Sequence, residues 1–424
     1  SPRFIKTIAR RGYRFIARVD TVVADAPAPA APAPAAGAAL TGAGPRDTAS
    51  LEAHRAFTEG SLKLETLDVR ELPQAIADFE RAVSIDPRYA LAHAGLASAR
   101  LALYETTRSD NEPGAEDLSS AIDHARRAVE LDGSLAEAHA TLALVLVSAW
   151  KADEAAAAGR RAVALEPSNW RHLFRLGHAT WGGERLRAAA RLLAVFPDFA
   201  FGHFQMAMVH VARGHLTEAE TVLRQGAAVQ DRQIGRGGRY PALGLHWLLG
   251  LVRLALDDVE EALVEFDREA ALAELHRLYG REYAMYAQHA RGAALARAKR
   301  PSEAAAAFRR SLDLYPHHAQ SQLGLALALA DSGAKAEARL AHERADAAIA
   351  TLSRTRPTEA GLARAQTFAV RGHLSEAVAA LDTLLEQAPP GFACWTLPVE
   401  PLLAQLQSNE GFMSVLQKLA SRAE

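Results

Sequence analysis

The chain has 424 residues, 49% of them apolar but only 6% aromatic, and its 28 glycines and 19 prolines exclude a collagen-like or wholly disordered protein. Many methyl-sized side chains and few rings suit closely apposed helices better than a sandwich of strands, so an all-α core is expected. The single cysteine, Cys394, excludes a disulfide framework and a cysteine-ligated zinc site. The 48 basic and 50 acidic residues nearly cancel, yet residues 1–20 hold Arg3, Lys6, Arg10, Arg11, Arg14 and Arg18 against Asp20 alone, a local +5 suited to a polyanion.

In chain order, the first element is that basic end. β-Branched and aromatic residues flank a glycine-containing basic turn, which predicts a hairpin: strand Phe4–Ile8, turn around Arg10–Gly12, strand Tyr13–Val19. A lone two-stranded ribbon is marginal in water and needs a partner domain. Pro2-Arg3-Phe4-Ile5-Lys6-Thr7 followed by Arg10-Arg11-Gly12-Tyr13-Arg14-Phe15 resembles the final hairpin, the wing, of the OmpR-type winged-helix DNA-binding domain. The resemblance implies an upstream recognition helix in the major groove, with the wing against the minor groove and backbone. Carried over by position, Arg10 and Arg11 would approach the minor groove while Thr7 and Arg14 would meet phosphates. Many response regulators of this class have an arginine where Ala9 stands, so individual contacts do not transfer directly. Such phosphate contacts position a protein more than they specify sequence.

Residues 21–50 form a Pro/Ala-rich linker, with Pro27, Pro29, Pro32, Pro34 and Pro45 among alanines. That composition favours polyproline II, and at about 3.1 Å per residue the roughly 22 residues Ala24–Pro45 would span on the order of 70 Å.

Over residues 51–390 a pattern recurs: Ala75, Phe79, Ala82, Pro87; Ala121, Ala125, Ala128, Gly133; Ala155, Gly159, Ala162, Pro167. The series continues at Ala219, Ala262 with Phe266, Ala304 with Phe308 and Pro316, Ala338 with His342, and Ala377 with Leu381 and Pro389. The leading alanines of the second and third copies are 34 apart; the 64 residues from Ala155 to Ala219 read as one step of 34 and one of 30 ended by Pro197. A large-then-small pair precedes each segment, as in Leu96-Ala97, Leu176-Gly177 and Leu249-Gly250. Small residues let antiparallel helices approach, and proline stops the second helix. The pattern resembles the tetratricopeptide repeat. It implies about nine helix pairs stacked into a right-handed superhelical solenoid whose concave face, lined by first helices, takes a protein or peptide partner. Longer turns are expected near Thr106–Gly114 and Asp231–Pro241.

Residues 391–424 depart from the pattern, with Pro398 and Pro401 precluding a tenth pair, and are expected to cap the last repeat's apolar face. Neither the sixteen histidines, among them His203, His210 and the adjacent His317-His318, nor the acidic pair Glu260-Glu261 has the spacing of a metal site or an acid–base pair. Gly235-Arg-Gly-Gly238 lacks the Lys-Ser/Thr of a phosphate loop, and Cys394 lacks a nucleophile motif. No cofactor, metal or catalytic residue is therefore expected, and the chain is read as a non-enzyme.

No run of about 18 uncharged apolar residues exists, and no basic-then-apolar leader follows Ser1, so no membrane partner is expected and the chain reads as a cytoplasmic fragment lacking its start. The reading that joins both resemblances is a transcriptional regulator: a winged helix on promoter DNA, a linker, and a repeat domain that receives a partner or signal, with homodimerisation as one means of control. Its rivals are a repeat adaptor or scaffold without DNA function, and the regulatory half of a signalling enzyme such as a cyclase or kinase.

Overall fold

The structure, a computed structural model, describes the backbone of residues 5–8 and 12–15, and residues 48–110, 112–235, 242–389 and 391–424. The chain divides into two units, Ser1–Gly42 and Ala43–Glu424. In the first, β1 (Ile5–Ile8) pairs antiparallel with β2 (Gly12–Phe15), placing Ile5 opposite Phe15 and Thr7 opposite Tyr13. The linker reading and the turn of the basic hairpin fall outside the described residues.

The second unit is all-helical and is built from antiparallel pairs. The described residues form α1 (Leu51–Leu64) with α2 (Leu72–Ile85), α3 (Ala90–Thr107) with α4 (Ala115–Leu131), and α5 (Ala136–Ser148) with α6 (Ala152–Leu165). Next come α7 (Trp170–Ala179) with α8 (Gly182–Val195), α9 (Ala200–Ala212) with α10 (Leu216–Gly235), and α11 (Leu245–Ala255) with α12 (Val259–Leu272). The array continues with α13 (Gly280–Arg297) and α14 (Pro301–Leu314), α15 (Ala319–Asp331) and α16 (Lys335–Thr355), and α17 (Pro357–Val370) and α18 (Leu374–Gln387). Two 3-10 turns (Leu397–Val399 and Pro401–Leu406) then lead to α19 (Glu410–Ser421).

Local chemistry sets these limits. Ser50, Asn169 and Asn409 accept a backbone N–H from Ala53, Arg171 and Phe412, capping α1, α7 and α19. Pro87, Pro167, Pro197 and Pro316 each follow the last residue of a second helix by two positions, where a proline ring cannot continue the helix. Pro357 follows the 21-residue α16 at the same distance and is at once the first residue of α17, so only Arg356 separates the two helices. Asp231–Gly235, read from sequence as part of a long turn, is instead the last turn of α10, because polar Gln and Arg side chains are good helix formers.

The turn inside six of the pairs uses a left-handed residue two positions past the first helix. Gly214, Gly333 and Gly372 supply it at φ +74°, +85° and +79°, and Trp150, Asp257 and Lys299 adopt it at +59°, +74° and +59°. The first group carries no steric cost there; the second costs roughly 1–2 kcal/mol each.

The buried alanines explain how the helices approach. Ala75, Ala121, Ala155, Ala219, Ala262, Ala304 and Ala377 are all inaccessible to solvent. Beside them a ring on a second helix enters glycine notches on the flanking first helices. A Cβ on Gly95 would stand 2.4 Å from Phe79, on Gly250 2.5 Å from Phe266, and on Gly324 2.3 Å from Phe308. The notch is thus at Gly95 and Gly324, each two residues before the small residues Ala97 and Ala326 that the sequence pattern singles out, because the ring lies across the preceding part of the turn. Successive first helices also pack on one another, including α3 on α5, α5 on α7 and α13 on α15, which places them on the inner side of the curve.

Curvature brings distant pairs together. Leu278 N–H donates to the Leu67 carbonyl and Val69 N–H to that of His276, both at 2.8 Å, so the turn of the first pair rests on the turn before α13. Among the described residues no helix is long and apolar enough to cross a membrane.

Candidate interaction surface

The inner side of the array is the candidate site, and its wall is built from aromatic and charged side chains. Trp247 on α11 lies edge-on to Tyr283 and 5.5 Å from Tyr286, both on α13; Tyr286 then meets His318 at 6.1 Å, and His318 meets His289 at 5.3 Å. Burial raises the tyrosine hydroxyls Tyr283 and Tyr286, and it lowers His289 to about 4 and His318 well below its ordinary value. These groups are therefore neutral at pH 7. His318 and His289 each bond the Ser321 hydroxyl, at 2.7 and 3.1 Å, and Ser311 joins them at 2.8 Å. Ser321 thus bridges the two imidazoles, and Ser311 carries the network on to the Met285 carbonyl at 3.2 Å.

Charge on the wall is concentrated at Arg108, just past α3. Its guanidinium meets Glu105 at 2.7 Å and Glu282 at 2.9 Å. Burial opposes the cation, but the two carboxylates outweigh it and hold Arg108 well above its usual value. Glu282 also accepts from the Ser109 hydroxyl at 2.9 Å, Arg281 pairs with Asp110 at 3.1 Å, and Arg356 donates to the Ser109 carbonyl at 3.2 Å. Residues 108–110 are thereby tied to both α13 and the start of α17.

A second feature is Arg185 on α8. In seven other second helices the fourth residue is a buried alanine (Ala75, Ala155, Ala219, Ala262, Ala304, Ala338 or Ala377); in α8, Arg185 stands there. The short step of the repeat therefore runs from residue 155 to residue 185, and the following one, to Ala219, has the full 34. What is missing is a helical turn of α7, which has 10 residues where α5 and α9 have 13. Arg185 fills that volume. Only 1% exposed, it donates to the carbonyls of Gly177 at 2.7 Å, Thr180 at 2.9 Å and His178 at 3.0 Å, the acceptors that end α7. No carboxylate pairs with it, and burial lowers the guanidinium to about 9. Its face lies 4.7 Å from the Trp181 ring.

The segment after residue 390 does more than cover the last pair. Its 3-10 turns lie against the first helices α9, α11, α13 and α17, and α19 contacts both α18 and α9. Phe392 stacks on Trp150 at 5.4 Å with 27° between planes, touches Trp181 at 6.3 Å, and lies 5.8 Å from the Arg185 guanidinium. Trp395 meets Trp247 edge-on at 6.4 Å. Glu400 accepts from Thr396 at 2.5 Å and from Gln366 at 3.0 Å, and burial raises its carboxyl to about 7. Gly183 N–H and Arg213 hold backbone oxygens of Ala423 and Glu424 at 2.8–3.3 Å. The inner face is thus occupied by the chain's own segment. Burial also pushes the Cys394 thiol up to about 12, which keeps it protonated.

Of the DNA-contact residues expected from sequence, Thr7 lies on β1 and Arg14 on β2, while Arg10 and Arg11 lie outside the described residues. Sequence reasoning missed Arg108, Glu282, Arg185, Trp150 and Phe392. Only Arg185 left a signal that could have been read, an arginine in an alanine column. Among the described residues no group of three or more His, Cys, Asp or Glu side chains could hold a metal ion.

Residues 289–351 match the tetratricopeptide repeat family model. Among solved structures, the chain is similar to a tetratricopeptide repeat protein from Parabacteroides merdae, with 11% identity over 66% of this chain and 100% of that one and a TM-score of 0.44. It is similar to Cut9–Hcn1 of APC/C, with 15% identity, 69% and 52% coverage and a TM-score of 0.49. For yeast Tom70 the identity is 16%, the coverage 81% and 67%, and the TM-score 0.47. No curated protein matches. Residues 289–351 thus carry tetratricopeptide repeat sequence, and the match spans the second half of α13 through most of α16.

Proposed function

We propose that this protein is a non-enzymatic interaction scaffold whose helix-pair array receives a protein partner. The observation that carries this reading is the continuous wall of first helices, rich in rings and fixed charge, on a domain that contains tetratricopeptide repeats. Large rings with few rotatable bonds give contact area at little entropic cost. The test uses the whole chain as bait, with chemical cross-linking. A protein should co-purify in stoichiometric amount and be lost when Trp247 and Tyr286 are both replaced by alanine in a chain that keeps its helical circular dichroism. No stoichiometric partner, or one indifferent to the double substitution, would reject the inner wall as the contact.

A second reading, a DNA-binding regulator, is favoured by one observation only: the net +5 and the wing-like sequence of residues 1–20. The family match does not reach them. In the chain extended by its upstream coding region, replacing Arg10, Arg11 and Arg14 with alanine should weaken duplex DNA binding and flatten its dependence on salt. Unaltered affinity and slope would remove this reading and leave the scaffold intact.

A further inference from the structure

We propose that the slot between Trp150 and Trp181, above Arg185, is a recognition pocket for an aromatic side chain of a partner peptide, and that Phe392 fills it as an internal ligand. This deepens the scaffold reading and rests on it.

Three observations on the slot point to a ligand. First, the ring that fills it comes from a segment without regular helix: Phe392 follows Gly391, which is left-handed at φ +104°, and precedes a 3-10 turn. Such a segment is a string of tight turns, with Trp395 N–H donating to the Phe392 carbonyl and Leu397 N–H to that of Cys394, and its 3-10 turns are seated on first helices as a separate peptide would be. Second, the slot is not sealed by it. Trp150 remains 53% exposed although it stacks on Phe392, and it holds a left-handed backbone at the turn position where other pairs carry glycine. A turn needs no indole there, whereas a clamp does. Third, polar groups at the slot are left short of partners by Phe392. The Trp181 indole N–H is buried without an acceptor, and the Arg185 cation, beneath the Phe392 ring, has carbonyl partners but no carboxylate. A buried donor without an acceptor is costly, so the internal ligand is an imperfect one.

The chemistry of the partner follows. It offers an aromatic ring to stack between Trp150 and Trp181, and a backbone or side-chain oxygen beside that ring to accept from the Trp181 indole. Its backbone crosses the faces of α9 and α11 that the 3-10 turn of residues 397–399 now touches. Such a peptide competes with residues 392–399 while α19, anchored through Lys418 to Asp382 at 2.5 Å and through Arg422 to the Leu385 carbonyl at 2.8 Å, stays in place.

The test measures exchange with a synthetic peptide of residues 389–409 carrying a fluorophore, read by anisotropy on the purified whole chain. The Phe392→Ala chain should bind this peptide at least ten times more tightly than the unaltered chain does, and a peptide carrying the same Phe392→Ala change should lose that advantage. Equal binding to both chains, or equal binding of both peptides, overturns the proposal. If the altered chain does not fold, hydrogen exchange on the unaltered chain decides: the amides of Trp395, Leu397 and Val399 should exchange at least tenfold faster than those within α17 and α18, and equal protection overturns it. Concentration-dependent doubling of mass that Phe392→Ala abolishes would make a second copy the occupant, which also overturns it. Because exchange is measured without any cellular partner, its failure leaves the co-purification test of the scaffold untouched.

Discussion

Lys299 is an exposed residue held at φ +59° in the turn between α13 and α14, where Gly214, Gly333 and Gly372 serve in other pairs. Among the described residues its side chain makes no ion pair that would offset the strain, the neighbouring Glu303 being taken by Arg300. Lys299→Gly should therefore raise stability by about 1 kcal/mol, read as a higher Tm, with the gain reduced by the extra freedom of glycine in the unfolded chain. Glu400 makes the complementary case at the same scale. Its carboxyl is raised to about 7 by burial, so the folded state holds that proton more tightly than the unfolded state does. The stability it confers is complete below the unfolded value near 4.5 and is lost as pH rises to 7, on the order of 2–3 kcal/mol in all. The buried imidazoles act in reverse. Burial lowers His289 to about 4, so its contribution is present above 6.5 and is lost as pH falls toward 4. Glu400→Gln should flatten urea stability between pH 5 and 7 without touching the acid limb; an unchanged slope over that interval would contradict the assignment.

At the scale of the helix, one substitution in one column reorganises a pair. Arg185 replaces the signature alanine, and α7 ends a turn early, so the guanidinium occupies what would be backbone and satisfies the carbonyls of Gly177, His178 and Thr180. Arg185→Ala restores the repeat consensus but leaves three acceptors and a void; it should cost at least 3 kcal/mol in urea unfolding. A consensus-driven expectation has the opposite sign, which makes the measurement decisive. Gly324→Ala gives a second contrast, since the new methyl would meet the Phe308 ring at 2.3 Å and outweigh the helix propensity gained, for a loss of about 1–3 kcal/mol. These two sites also mark how far the sequence could be read. The all-helical class and its pairing were legible because alanine recurs at positions whose burial is dictated within one helix hairpin, as Ala75, Ala262 and Ala304 illustrate. The exact notch at Gly324 was not legible, since it depends on how the Phe308 ring leans. The role of Arg185 was half legible: the spacing holds a short copy ended by Pro197, which is the pair α7–α8, but spacing does not say that an arginine side chain fills the missing turn.

At the scale of the molecule the contacts that matter join residues about 170 to 210 apart: Arg108 with Glu282, and Leu67 with Leu278. No periodicity encodes them, because they arise only after small rotations between successive pairs have accumulated. Their consequence is thermodynamic. A plain helical array behaves as a chain of nearest-neighbour units, so its ends unfold independently. Here the second pair is fastened to α13 and the start of α17 through Arg108, Ser109 and Asp110, and the first pair to the turn before α13 through Leu67 and Val69, which couples the amino-terminal pairs to the middle of the array. Glu282 is the hub, accepting from Arg108, Ser109 and Tyr286. Glu282→Ala leaves Arg108 with Glu105 alone and releases Ser109, while the local core of α13, formed by Ala284, Met285 and Ala287, is unaltered. Removing one member of a buried pair costs about 3–5 kcal/mol in general, and the solvent access of Arg108, 39% exposed, brings the expectation to about 1–3 kcal/mol. The loss should appear as decoupling: urea unfolding should split into two transitions, with α1–α4 exchanging their amides early and α13–α18 near the original midpoint, and small-angle scattering should show a larger radius of gyration before the first transition. A single cooperative transition with an unchanged radius would mean that packing between neighbouring pairs, not the fastening at Glu282, holds the coil closed.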